Sequence, residues 1–270
     1  MQLSTNSKLI VNPSPSFGTA VVFVEGEKDE FTLLIEIFNR LLGNRVIEKR
    51  RKKEFLEWEF AGSNSTLIVM NTKYSNIRSI SNQNCRNALF SEIFKKYEID
   101  LTNKPVFYLW DRDRCSNAAE DVENAIKIFG NPYMNSIGYM SGLLLLSYPS
   151  IEAYKISTID NIPYPKNCPR TAKNLKKILE QLGIAKTGAL NKNALEIAAN
   201  EMLSHAEKIG ISYFEREDFS NQNKDIFQYE ESYYKEKAEY DILSLFSIIL
   251  IYLNILIPAS PTSSKEQRKK

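Results

Sequence analysis

Through the first part of the chain, short apolar blocks alternate with stretches patterned at helical spacing. TAVVFVEG sets Val21, Val22, Phe23 and Val24 in one run of β-formers that stops at Gly26, which predicts a buried strand and a tight turn. In EKDEFTLLIEIFNRLLG, Phe31, Leu34, Ile35, Phe38, Leu41 and Leu42 recur every three or four residues and Gly43 supplies the stop, the pattern of an amphipathic helix. Residues 46 to 70 favour extended structure and end in a second buried strand, TLIVM (Thr66 to Met70). A helix from about Asn82 to Tyr97 is expected to bury Leu89, Ile93, Phe94 and Tyr97. KPVFYLW (Lys104 to Trp110) is the third strand signal, followed by DRDRC. Asn117 and Glu120 then read as a capping box for a helix carrying Val122, Ala125, Ile126 and Phe129. The run GLLLLSYPSIEAY closes this part.

Strands alternating with helices of this length imply an α/β domain with a mostly parallel sheet, in which ligands gather at the carboxyl ends of the strands. From Pro169 the pattern turns helical, with Pro163, Pro165 and Pro169 marking the junction. The expected organisation is an α/β domain over residues 1–165, a helical region over 166–258, and a polar, disordered tail over 259–270. The apolar stretch Ile242 to Ile257 is short of the ~20 residues a spanning helix needs and carries Ser244, Ser247 and Asn254. It reads as a core or interface helix, open to oligomer contact, rather than a membrane anchor.

The charge balance of 35 Lys and Arg against 33 Asp and Glu, a net +2, excludes a cation whose whole surface grips nucleic acid. Three scattered cysteines without a C-x-x-C pair argue against a disulfide framework. With no apolar core for a signal peptide near the N-terminus, a cytoplasmic location is expected. The single histidine, His205, removes multi-imidazole zinc sites, and it reads as a helix-surface residue outside any nucleophile relay. Carboxylates, lysines and a bound metal are the chemistry that remains.

That chemistry has a place. Glu25 ends the first strand and is followed by Gly26, while Asp111 and Asp113 end a later strand with one residue between them. If the two strands are neighbours, three carboxylates meet at the sheet's rim. Mg²⁺ takes oxygen ligands, keeps several waters and is held by one or two carboxylates while substrate phosphate completes its shell. A carboxylate in the position of Glu25 can hold metal or act as general acid or base.

VVFVEGEKD followed by VFYLWDRD resembles the Toprim domain, which topoisomerases, bacterial primases, small RNA-maturing nucleases and OLD-type nucleases share. The resemblance implies that Glu25 is the family's acidic residue, that Asp111 and Asp113 are its metal-binding pair, that Gly26 makes the turn and that Asp29 is the acid of the following helix. SYPSIEAY (Ser147 to Tyr154) is similar to an acidic segment of stand-alone Toprim effectors of bacterial anti-phage systems, the RloB-like and DUF4435-like groups, and makes Glu152 a further acidic candidate. AYKIS after Glu152 favours the DUF4435-like group. The implied activity is a Mg²⁺-dependent nuclease, with Mn²⁺ as a substitute, cutting RNA such as tRNA, or DNA. It implies a toxic defence effector regulated by an ATPase partner. Topoisomerase and primase activity need bodies that this chain lacks. A non-catalytic subunit docked on an ATPase and a housekeeping RNA-maturation nuclease are the alternatives.

Bland readings stand beside these. Acids after a strand also suit a helix N-terminus, and DRDR is also a surface salt-bridge cluster. Lys28, Arg112 and Arg114 are candidate phosphate contacts. The basic run Lys49 to Lys53 suits either a nucleic-acid backbone or, preferably, a solvated hairpin face. Tyr229, Tyr233, Tyr234 and Tyr240 read as packing residues rather than base-stacking platforms.

Overall fold

A computed structural model of the protein describes residues 2–26, 28–52, 55–62, 64–72, 76–112, 114–115, 117–136, 139–159, 169–184 and 188–259. Asp113, Lys53, the junction around Pro163 and Pro165, Cys168 and the tail after Ala259 lie outside the described residues. Two short strands, β1 (Gln2–Ser4) and β2 (Leu9–Val11), precede the apolar block that forms β3 (Gly18–Val24). There follow α1 (Asp29–Leu34), which runs on as a π-helix over Ile35–Leu41, then the hairpin strands β4 (Arg45–Lys52) and β5 (Phe55–Ala61), and β6 (Ser65–Asn71). Next come α2 (Ile77–Ile80), α3 (Gln83–Tyr97), β7 (Val106–Asp111), α4 (Ala119–Ile128), β8 (Gly130–Ser136) and β9 (Tyr139–Tyr148).

The central sheet is mixed and mostly parallel at its core, flanked by helices. β9, β7, β3 and β6 lie side by side in parallel, the β4–β5 hairpin extends the β6 edge antiparallel, and β8 and the short strand β11 (Leu243–Ser244) pair with β9 antiparallel. Val21 to Val24, Phe107, Tyr108 and Leu143 to Leu146 have no exposed surface, as expected of parallel strands covered on both faces. From β3 the chain steps to β6 on one side, whereas from β7 it steps to β9 on the other. The connections therefore diverge between β3 and β7, and the carboxyl rim of these two strands is the topological switch point where open α/β sheets bind ligands.

The C-terminal segments are α5 (Glu152–Ser157), α6 (Ala172–Gln181), α7 (Lys192–Lys208), β10 (Tyr213–Glu215), α8 (Ser220–Lys237), β11, α9 (Ser247–Tyr252) and β12 (Leu256–Pro258). They thread back onto the start of the chain. β10 pairs with β1 and β12 with β2, while Asn200 and Glu196 of α7 accept from the backbone N–H of Leu9 and Val11 at 2.9 and 2.8 Å. Apolar residues of both regions share one core cluster.

Three local expectations are corrected. The stretch Ile242 to Ile257 is not one helix: β11, the six-residue α9 and β12 divide it, and Leu245, Ile249, Leu250, Leu253 and Ile255 are fully buried. Its apolarity reflects core position, so it presents no helix for oligomer contact, and no helix among the described residues is long and apolar enough to cross a membrane. Asn117 does not cap α4, whose N-cap is Ala118. Its carboxamide oxygen instead accepts from the Ile77 N–H at 2.8 Å, tying α2 to the loop after β7. On α3 the buried apolar residues are Phe90 and Ile93, whereas Phe94 is 58% exposed.

Gly142 shows how closely the central strands approach. It sits in β9 at φ +73°, and a Cβ there would lie 2.8 Å from a Tyr108 ring carbon and 3.0 Å from the Val106 carbonyl oxygen. Gly210, at φ +88°, has open space in the same direction. Left-handed backbone costs an L-residue about 1–2 kcal/mol, and overpacking adds about 1–3 kcal/mol. Gly142→Ala is therefore expected to lower stability in urea unfolding by about 1–3 kcal/mol more than Gly210→Ala; equal losses would contradict the packing described here.

Candidate active site

The site forms because parallel pairing brings the ends of β3 and β7 level. Val24 stands opposite Leu109, and the Glu25 N–H continues the ladder to the Leu109 carbonyl at 3.2 Å. Just beyond, the Asp111 N–H donates to Glu25 Oε2 at 3.1 Å. Asp111 ends β7 opposite Ser147 of β9, and its Oδ1 accepts from the Ile151 N–H at 2.8 Å. Two residues after Ser150, Glu152 opens α5 almost buried, with Oε2 accepting from the Ser150 hydroxyl at 2.6 Å. The turns after three parallel strands thus deliver Glu25, Asp111 and Glu152 to one rim.

A fourth carboxylate joins them that the sequence reading missed. Glu30, in the first turn of α1, is 5% exposed and accepts from the Gly26 N–H at 3.1 Å. A Cβ on Gly26 would lie 2.5 Å from Glu30 Oε2, so the glycine admits the carboxylate as well as making the turn. The signal was present in the four-residue step from Gly26 to Glu30, which turns a helical carboxylate back toward the turn. Asp29, the acid the resemblance selected, points elsewhere and pairs with Lys176 of α6 at 2.9 Å.

Four acids at one rim repel one another. The Asp111 carboxyl is held well above the ordinary carboxylate range, first by burial and then by the charges of Glu30, Glu25 and Glu152, against the lowering effect of the Ile151 N–H. Glu30 is also raised, first by burial, with its own and the Gly26 N–H groups opposing. A cationic neighbour is Lys176, whose ammonium lies 3.3 Å from Glu152 Oε1.

The remaining expected site residues divide. Lys28 is exposed at the start of α1. Arg112 is corrected: it has no exposed surface and cannot meet a phosphate in this arrangement. Its Nε donates to Glu231 Oε1 of α8 at 2.9 Å, its Nη1 to the Asn117 carbonyl at 2.9 Å, and the Tyr240 hydroxyl shares Glu231 at 2.7 Å. Arg114, a third exposed by side chain, lies 3.4 Å from Glu231 and over the Tyr234 ring. His205 is also corrected. It is not a surface residue, but lies between Glu230 at 3.3 Å and Asp241 at 3.7 Å, beside a cavity of about 310 Å³.

A hard cation suits the donors, which are all carboxylate oxygens, and Asp111 and Glu25 at the switch point are the residues that could hold one. Mg²⁺ needs only one or two carboxylates with water completing its shell. Among the described residues, no three His, Cys, Asp or Glu side chains are already arranged around one point for a metal ion.

No protein-family model matches the chain. No curated protein matches it. Among solved structures, one similar chain is the cytosolic domain of the T. maritima FeoB iron transporter in GDP form II, at 14% identity, covering 81% of this chain and 98% of that one with a TM-score of 0.20. A likeness at that score carries no argument about fold or function here.

The raised carboxyl gives a signed expectation. A folded-state pKa above the unfolded value means that the folded protein holds the proton more tightly, so stability falls as pH rises through that window and recovers toward acid. Asp111→Asn keeps an oxygen for the Ile151 N–H and removes the charge. It is expected to stabilise the protein at pH 8 by about 1–2 kcal/mol, a gain that shrinks as pH falls toward about 4, the ordinary Asp value. Thermal unfolding of both proteins across pH checks it; a pH-independent difference would contradict the electrostatic account.

Proposed function

We propose that this chain is a Mg²⁺-dependent, Toprim-type nuclease that cleaves phosphodiester bonds in RNA or DNA. The observation that carries the reading is the meeting of Glu25 and Asp111 at the carboxyl ends of neighbouring parallel strands, joined by the 3.1 Å hydrogen bond from the Asp111 N–H to Glu25 Oε2. The sequence motif names those two residues, and the strand order puts them where ligands bind in such sheets. Asp113, outside the described residues, is included on its strand-end place in the sequence and on the resemblance.

Each side chain has work in this reading. Asp111 offers Oδ2 to a cation while Oδ1 stays fixed by Ile151. Glu25, held against the β7 backbone, binds the cation or transfers a proton at the attacking or leaving oxygen. Glu152 and Glu30 set the negative potential that draws a cation to the rim. When bound, Mg²⁺ supplies Lewis-acid stabilisation of charge on the phosphoryl oxygens.

The wider setting, a toxic anti-phage effector governed by an ATPase partner, is supported by the resemblance of Ser147 to Tyr154 and the two motifs. The alternative of a docking subunit has lost its expected contact, since the Ile242 to Ile257 stretch lies in the core.

The test is incubation of the purified chain with tRNA, total RNA, plasmid and single-stranded DNA in Mg²⁺ or Mn²⁺, with and without any ATPase encoded beside it. Cleavage that stops with chelator is expected, and Glu25→Gln is expected to slow it by about 10²-fold or more. Glu25→Gln cutting like wild type would remove Glu25 from the chemistry. No cleavage in any arm, with the partner present, would overturn the nuclease reading.

A further inference from the structure

Lys176 is the part of the acidic rim that neither the motifs nor the strand order accounts for. It comes from α6, in a different region of the chain, and its ammonium lies 2.9 Å from Asp29 Oδ2 and 3.3 Å from Glu152 Oε1. The two partners differ: the Glu152 side chain is 7% exposed, whereas the side chains of Asp29 and Lys176 are 47% and 50% exposed. The lysine therefore reaches in from solvent to a buried carboxylate and rests its other side on an exposed one.

α6 is well placed to let it do so. Leu175, Ile178 and Leu179 pack with Ala153 and Ile156 of α5 in a small apolar cluster separate from the main core. That contact fixes α6 beside Glu152, the first residue of α5, and leaves Lys176 on the outward side of the same turn. The ammonium is held strongly protonated, chiefly by the hydrogen bond to Asp29 and further by Glu152. A half-exposed pair of this kind is weak and readily exchanged, while the buried Glu152 charge, among three other acids, needs a cation close by.

We propose that Lys176 is a built-in counter-ion of the acidic rim, whose ammonium on Glu152 competes electrostatically with a divalent cation held by Asp111 and Glu25. The proposal rests on the cation-binding part of the nuclease reading and adds a regulatory element to it. The ammonium already offsets part of the negative field that would hold a metal, so metal affinity is set partly by how firmly α6 holds its lysine. Asp29, 2.9 Å away, lets the ammonium shift from Glu152 when a cation is bound, without unfolding α6. Anything that shifts α6 on α5 would then change metal affinity without touching a ligand.

The experiment is calorimetric titration of Mg²⁺, and separately Mn²⁺, into the chelator-treated full chain and its Lys176→Met, Lys176→Ala and Lys177→Met variants, with thermal unfolding of each protein with and without metal. Lys177 is exposed on the same helix, so its variant controls for net charge. Lys176→Met is expected to bind Mg²⁺ about tenfold more tightly than wild type, because a competing cation has gone. Without metal it is expected to melt below wild type, and with saturating metal to regain the difference. Lys177→Met should match wild type in both. Wild type and both Lys176 variants binding Mg²⁺ equally well would overturn the proposal and leave the metal site standing. Weaker binding by the Lys176 variants would overturn it too, making the lysine a support of the site. Binding by none of the proteins would overturn the proposal together with the metal reading beneath it.

Discussion

The constraint on which the rest of the structure turns is the crowding of four carboxylates at the ends of three parallel strands. Burial, and then the charges of Glu30, Glu25 and Glu152, hold Asp111 well above its ordinary protonation range. Such a cluster persists only where the surrounding structure over-determines it. Here the determinant is the sheet: β3, β7 and β9 are buried along nearly their whole length, and a slip of one residue would mismatch side chains of different size packed on both faces. The register that fills the core is the same register that sets the acids level. Core packing and site geometry are thus one requirement, and the electrostatic cost at the rim is borne by apolar burial below it.

A second device fixes the chain immediately after Asp111. The buried Arg112 places its charge on Glu231, and Glu231 is shared with Tyr240 and Arg114. A buried ion pair of this kind adds little net stability over apolar packing, but losing one partner costs about 3–5 kcal/mol. Its consequence is geometric. The turn that carries Asp111 is bolted to α8, more than a hundred residues later in the chain, so the C-terminal region takes part in shaping the rim. The antiparallel pairings β10 with β1 and β12 with β2 add to this by returning the same region to the chain's beginning.

Much of the fold was legible where local pattern and burial agree. The apolar block Val21–Val24 and the run from Val106 to Trp110 announced central strands, and Gly26 and Gly43 marked the stops, because parallel strands and helix ends obey local rules. The stretch Ile242 to Ile257 misled for a physical reason. Periodicity cannot separate a buried helix from short buried pieces, since complete burial erases the polar face that defines either period. Asn117 was read as a cap because capping is local, yet its oxygen was taken by Ile77, forty residues away. At the site, Glu25 and Asp111 were visible from their places after strand signals, and Glu152 only through the resemblance of Ser147 to Tyr154. Glu30 was hidden by a plausible alternative, since an acid in a first helical turn already has a reason to be there. Lys176 left no sequence signal, because only the packing of α6 on α5 brings it to Glu152.

The way the acids are tethered bears on what they can do. Glu25 accepts from the Asp111 N–H, Asp111 from the Ile151 N–H, Glu30 from the Gly26 N–H and Glu152 from the Ser150 hydroxyl. These four donors belong to the three strand ends and the turns after them, so the segments that gather the negative charge also direct it. Backbone amides facing carboxylates lower the cost of holding like charges together, and a donor on one carboxylate oxygen fixes the orientation of the group. A merely solvated acidic surface needs none of this, because water and mobile side chains disperse its charge. Carboxylates at a switch point, held largely by their own backbone and paired in part with Lys176, are the preorganised charge that the proposed cation-dependent phosphoryl transfer would require.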